Sequence, residues 1–438
     1  MLRISKRILA TILATAMVFT MADYSGIHLL VENVSASTDQ NKYSDSKVVN
    51  EEIIPDTELR NALKDIISNG NDLTFKELKE YEGDLDLSNY PQIQEVTGLG
   101  YMRLVKNMDL STLSKVKKID KYEFQMCNLT SIKLPENLEE IDEAAFYRCE
   151  SLETVVLPDG LKKIHNDAFS RCTKLNNVTL PESLIKIGNG AFSVCESLES
   201  IKIPDYINAA LENSSDDSVN GLGTGVFDGC TALSNVTFGA AMTAIPAGFF
   251  RGTKALRKIA IPEQIIDIRN NAFGESGLYS IDLSKNTKMT TISGNVFNGC
   301  SSLYKVILPK SIERIEERAF WGTSVYDSDI FKGLDKLTYI GDYAFLGCKF
   351  IEINMPDNIE TIGFEAFKKC SLLQKVNFGE YTHEIKENTI LSIGSEAFIE
   401  CYNLTDVHFP SENQDNINFG IEILSKAFKN ATNLHNVN

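Results

Sequence analysis

Residues 152–172 read LETVVLPDGLKKIHNDAFSRC, and that stretch decides the fold. In its first half Leu152, Val155 and Leu157 alternate with positions expected to be exposed, as in a short strand, and Pro158 closes it. In its second half Leu161, Ile164, Ala168, Phe169 and Cys172 form a tight apolar arc that returns the chain to a new strand. The phase then recurs: phenylalanines at 124, 146, 169, 192, 227, 250, 273, 297, 320, 345, 367, 398 and 428 mark thirteen units. The usual gap is about 23 residues, a period that signals a stacked repeat array. All nine cysteines lie three residues after one of these phenylalanines: Phe124/Cys127, Phe146/Cys149, Phe169/Cys172, Phe192/Cys195, Phe227/Cys230, Phe297/Cys300, Phe345/Cys348, Phe367/Cys370 and Phe398/Cys401. A disulfide framework needs complementary spacings and a metal site needs a local cluster, so a ladder at one phase fits neither. Where cysteine is missing the slot holds Thr253, Ser276, Thr323 or Ala431, all small. The slot is therefore read as selected for volume, with buried free thiols.

The array, residues 119–438, resembles the BspA-like leucine-rich repeats, whose units run Ile-x-x-x-Ala-Phe-x-x-Cys-x-x-Leu-x-x-Val-x-Leu-Pro. The resemblance implies an α/β solenoid: a right-handed leucine-rich-repeat superhelix, with short parallel strands on the concave face and irregular or short helical arcs on the convex face. Residues 54–118 more loosely resemble the cap and first repeats of internalin-like proteins, through Ile54-Pro55-Asp56, Leu87-Ser88 and Thr97-Gly98-Leu99. Two departures stand out. After Trp321 the stretch from Val325 to Leu337 replaces a clean strand, and Ser284, Gly239 and Gly379 replace the closing proline. Three units are long, with extra residues at Tyr206–Gly221, Glu380–Ser392 and Ser411–Gly420, all after the strand.

Ahead of the array, residues 1–36 read as a secretion signal: Arg3, Lys6 and Arg7, an apolar run from Ile8 to Ala22, and small residues offering cleavage after Ala22 or Ala36. Cleavage after Ala22 takes the net charge from −17 to −20. Residues 37–53 look like a flexible leader. Residues 54–118 are read as an N-terminal cap with atypical repeats. Leu59, Leu63, Ile66 and Ile67 recur at helical spacing after Pro55 and Asp56. The last unit stops at Leu434 to Asn438, within an expected strand, so a longer chain or a partner is expected to cover that end.

The strand residues flanking the central Val or Ile are expected to face away from the core. Candidate binding positions on that concave face are Lys133, Thr154, Asn177, Thr179, Lys202, Asn235, Lys258, Asp282, Lys305, Glu352, Asn354, Lys375, Asp406 and His408. They include five lysines against three acids, so a chain of net charge −17 keeps its acidic excess off this face. The acidic balance argues against general nucleic-acid binding, and no membrane insertion is expected once the signal is removed. The five histidines (28, 165, 383, 408 and 435) form no zinc-helix spacing, and there is no Cys-x-x-Cys, Gly-x-Ser-x-Gly or phosphate loop. His165, just after a core isoleucine, is expected to be exposed.

No enzyme activity and no cofactor are expected. The family resemblance implies a secreted or surface protein that attaches to host or neighbouring cells by binding an extracellular protein or glycan, such as a matrix glycoprotein. Two other readings remain open: a targeting module of a larger exported enzyme or wall-binding protein, and a passive spacer.

Overall fold

A computed structural model describes residues 40–209, 220–378, 390–409 and 420–437. The expected signal segment 1–36 and most of the three expected inserts fall outside the described residues.

The cap opens with helix α1, Thr57–Ser68. Asp56 caps its N-terminus by accepting from Leu59 N, and left-handed Asn69 ends it. The other Asp56 carboxylate oxygen accepts from Gln94 N at 2.8 Å, which ties the helix start to the first strand turns. A second helix, α2 (Phe75–Glu80), is held by a reciprocal capping box between Thr74 and Glu77. The flexible leader expected at 37–53 is corrected from residue 40 onward. Val49 and Ile53 are buried, Val48 bridges Thr74, and Tyr43 packs edge-on against Phe75 and Tyr101. Apolar side chains with a helix to cover do not stay in solvent, so this stretch belongs to the cap.

From residue 85 onward the chain is a solenoid of short parallel strands. One ladder has two- and three-residue strands at 85–86, 107–109, 131–133 and 154–156, with a single bridge from Thr154 to Asn177. It resumes at 200–202 with 235–237, at 280–282 with 305–307, and from 352–354 through 375–377 and 406–408 to 436–437. The gap at 325–337 matches the irregular unit seen in the sequence. There Val325, Ile330, Phe331, Leu334 and Leu337 fill the core without a strand.

The arcs are irregular, and no α-helix follows α2 among the described residues. They also carry a second parallel ladder that the sequence reading did not anticipate. It runs through Lys118–Ile119, Glu140–Ile141, Lys163–Ile164, Lys186–Ile187 and Gly221–Leu222. It continues from Thr291–Ile292 through Arg314–Ile315, Tyr339–Ile340 and Thr361–Ile362 to Ile390–Ile393 and Gly420–Ile423.

A third set of rung-to-rung bonds lies at the arc apex, where each ladder phenylalanine from Phe124 to Phe398 donates its N–H to the next rung. Phe146 N reaches Ala168 O at 2.7 Å and Phe169 N reaches Ala191 O at 2.8 Å. The turn that permits this is left-handed on both sides. In all thirteen units the residues two before and two after the phenylalanine have positive φ. Gly229, Gly252, Gly299, Gly322 and Gly347 suit the second position, but Val194 (φ 58°) occupies it with a β-branched side chain.

The thirteen rings form one stack from Phe124 to Phe428, with neighbouring centroids 5.0–6.1 Å apart. All nine cysteines are buried free thiols. The slot asks for more than volume. Cys149 Sγ donates to Phe124 O at 3.0 Å, Cys172 Sγ to Phe146 O at 3.2 Å, and Cys300 Sγ to Phe273 O at 2.9 Å. Every thiol but that of Cys127 thus reaches the phenylalanine carbonyl of the preceding rung, a donor role for which volume alone gives no reason. Thr253 and Thr323 donate instead to the carbonyls of their own units, Phe250 O at 2.8 Å and Phe320 O at 2.9 Å. Burial pushes the Cys300 thiol up to about 11 and those of Cys348 and Cys401 to about 12. Such thiols stay protonated and inert at neutral pH.

Phe169→Ala is expected to cost about 3–5 kcal/mol in denaturant unfolding, because the ring is fully buried between two others. Cys172→Ser, which keeps a small donor, should cost less than that, whereas Cys172→Asp should abolish cooperative folding; native stability in the Asp variant would contradict the buried ladder. Val194→Asn is expected to stabilise by roughly 0.5–1 kcal/mol, read as a raised melting temperature, since asparagine tolerates the left-handed region.

Candidate binding face

Backbone alternation in the first ladder sets the face. In 154–156, 200–202 and 305–307 the central residue is buried and its two neighbours are exposed. Lys133, Thr154, Asn177, Thr179, Lys202, Asn235, Lys258, Asp282, Lys305 and Asn354 are exposed, and Glu352, Lys375, Asp406 and His408 are half-buried. Strand pairing brings many of them into register: Lys202 lies beside Thr237, Asp282 beside Ile307, Glu352 beside Lys375, and Asn377 beside His408.

The structure separates the five lysines. Lys133 Nζ is 2.7 Å from Asp109, Lys202 Nζ is 2.5 Å from Glu182, and Lys375 Nζ is 3.7 Å from Glu352. Lys258 and Lys305 have no ion pair among the described residues. Elsewhere the face is internally bonded. Asn377 Nδ2 donates to Glu352 and to Asn354, both at 2.7 Å, and Asn436 Nδ2 donates to Asp406 at 2.5 Å. Hydrogen bonds from Ser284 hold the Asp282 carboxyl below the usual carboxylate range. The free cationic capacity of the face therefore lies in the middle rungs.

His165 corrects the expectation of exposure. It is buried, its Nε2 lies 2.5 Å from Glu140 Oε1, and its Nδ1 lies 3.4 Å from the Nζ of buried Lys186. The second ladder accounts for this, because His165 directly follows its 163–164 strand and its ring meets Glu140 and Lys186 of the neighbouring rungs. The sequence reading also passed over Glu123, which is fully enclosed where cap meets array. Its Oε1 accepts from Gly98 N at 2.8 Å and Gly100 N at 2.9 Å. Desolvation outweighs those two bonds and pushes its carboxyl up to about 7.

Among the described residues no cluster of His, Cys, Asp and Glu could hold a metal ion, and no helix is long and apolar enough to cross a membrane. What the geometry offers is an extended, rigid, polar strand face.

The BspA-type leucine-rich repeat model matches six copies over residues 104–216, 220–338 and 338–438, and the chain belongs to that family. It is similar to a leucine-rich repeat protein from Bacteroides ovatus at 25% identity, covering 70% of this chain and 87% of that one, with a TM-score of 0.44. It is also similar to a leucine-rich cell surface protein from Faecalibacterium prausnitzii at 23% identity, covering 73% of this chain and 82% of that one, with a TM-score of 0.41. No curated protein matches the chain.

Glu123→Gln is expected to flatten the pH dependence of stability. The folded carboxyl titrates near 7 and the unfolded one near 4.5, so the native state holds the proton more tightly. Wild-type stability therefore falls as pH rises from 4.5 to 7, by an amount of the order of 3 kcal/mol from this group. Asp167, raised to about 6 by burial, adds a slope of the same sign that the variant retains. Urea unfolding across that range should show the variant gaining on wild type; parallel curves would contradict the assignment.

Proposed function

We propose that this protein is a secreted or cell-surface recognition protein that binds an extracellular protein or glycan through its strand face, and so mediates adhesion to host or neighbouring cells. One observation carries the reading. On a chain of net charge −17, the face formed by the first ladder is exposed, nearly regular and free of acidic excess, with unpaired Lys258 and Lys305 at its middle. A core packed from end to end holds that face rigid, so binding orders little of the protein itself. The "cell surface" description of the Faecalibacterium relative agrees with this placement. Leucine-rich repeat proteins act as binding and scaffold proteins, which favours recognition over catalysis.

The test is binding of the purified chain to arrayed matrix glycoproteins, glycans and cell-wall fragments, at low and raised salt. Saturable binding to one class, weakened about tenfold or more by Lys258→Glu with Lys305→Glu, is the expected result. A folded chain that binds none of them would overturn the reading in favour of a spacer or a targeting module.

A further inference from the structure

The residue that follows the first core position of each rung, ahead of the strand where one forms, stands at the edge of the strand face. In the early and late rungs it is Thr130, Glu153, Asn176, Glu199, Ser234, Ile351, Gln374, Thr405 or His435. In four consecutive rungs between them it is Arg257, Tyr279, Tyr304 and Tyr326. The backbone stacks the first three directly, since Tyr279 N donates to Arg257 O at 2.9 Å and Tyr304 N to Tyr279 O at 3.0 Å. The three tyrosines are 39%, 42% and 56% exposed, so the ladder does not use them as core. Tyr304 and Tyr326 stack 6.1 Å apart with planes 10° from parallel, and the Arg257 guanidinium sits 4.9 Å over the Tyr279 ring. None of the three phenol hydroxyls has a hydrogen-bond partner among the described residues. Tyrosine and arginine are the residue types that dominate binding energy at protein interfaces, and here they fill four successive rungs. The stripe also spans the two places where the strand ladder lapses, at 258–260 and 325–337.

We propose that Arg257, Tyr279, Tyr304 and Tyr326 form a docking stripe for an extended, proline-rich segment that carries acidic side chains. The inference deepens the recognition reading and rests on it. Ring orientation selects the ligand. A sugar stacks on an open aromatic face, but here Tyr304 and Tyr326 each give one face to the other and Tyr279 gives one to the Arg257 guanidinium, while the phenol hydroxyls keep no protein partner among the described residues. Polyproline II suits that relief, because it has no internal hydrogen bonds and keeps its carbonyls free to accept from phenol O–H groups. Four rungs at strand spacing span roughly 15 Å, the length of about five polyproline II residues. Charge supplies the second criterion. Arg257 lies along the stripe, as do Lys258 and Lys305, which have no ion pair among the described residues, while Asp282, on the rung between those two lysines, already accepts from Ser284. A partner with spaced carboxylates meets these cations without displacing an existing ion pair.

The test uses the full chain and two fluorescein-labelled peptides of equal length and charge, (Pro-Pro-Asp)4 and (Gly-Ser-Asp)4. The expected result is saturable anisotropy binding of the proline peptide, at least about tenfold weaker in Tyr304→Ala and in Tyr326→Ala, and weaker and less salt-sensitive in Arg257→Gln. Melting temperatures of these variants should match wild type, since the side chains are exposed. Equal binding of the Gly-Ser peptide would reduce the effect to charge and overturn the proposal, as would unchanged binding by both tyrosine variants or displacement by cellohexaose. If the tyrosine variants retain array binding that the Lys258 and Lys305 reversals abolish, the stripe fails while the recognition reading stands.

Discussion

Hydrogen-bonded strands sit just under 5 Å apart, and that spacing governs everything else in this molecule. It is also a distance at which phenyl rings stack, so placing one phenylalanine per rung at a fixed phase gives a continuous ring column. Once the column sets the arc, eight of the phenylalanine carbonyls accept from a thiol of the next rung. Hydrogen bonding, ring packing and the cysteine slot are one constraint expressed three times. No single unit can satisfy it, because every element of it is shared between neighbours.

Charge distribution follows from the same geometry. With the interior given to apolar side chains, ionic groups are confined to the rims and to the two ladder faces. There they mostly pair across rungs, as in Lys118–Asp142, Lys162–Glu139 and Arg251–Asp228. Exposed pairs of this kind contribute little stability. Their main effect is to quench local fields, which makes the few unpaired cations conspicuous to an approaching partner. Glu123 differs in kind, since it is enclosed and its protonation is tied to packing; in the His165–Glu140–Lys186 group, His165 and Lys186 are buried between rungs.

The sequence disclosed what repeats and hid what does not. Phase, unit length, the buried column, the free thiols, α1 and the irregular stretch after Trp321 were all legible, because each rests on a period or a cap. The second ladder was not, since a two-residue strand has no alternation to detect. Helix α2 is too short for a 3.6-residue period, and its only signal was the Thr74/Glu77 box. Val49 and Ile53 looked like part of a polar leader until a helix was there to cover them. On the face, the fourteen candidate positions came from strand alternation, whereas Tyr279, Tyr304 and Tyr326 sat at a position treated as spacing. Comparing that one column of residues across rungs would have exposed them.

Cys127 has no preceding array rung, yet its thiol lies 3.7 Å from a carbonyl, that of Gly100 in the cap. The cap thus imitates a rung, and everything beyond it is written in whole units that need only their immediate neighbours. Such a chain grows by copying. Duplicating or deleting one unit shifts the register of nothing else, so reach becomes a heritable quantity counted in rungs. Residues at exposed phases can change one rung at a time, which lets a new surface be composed locally while the column beneath it is left alone.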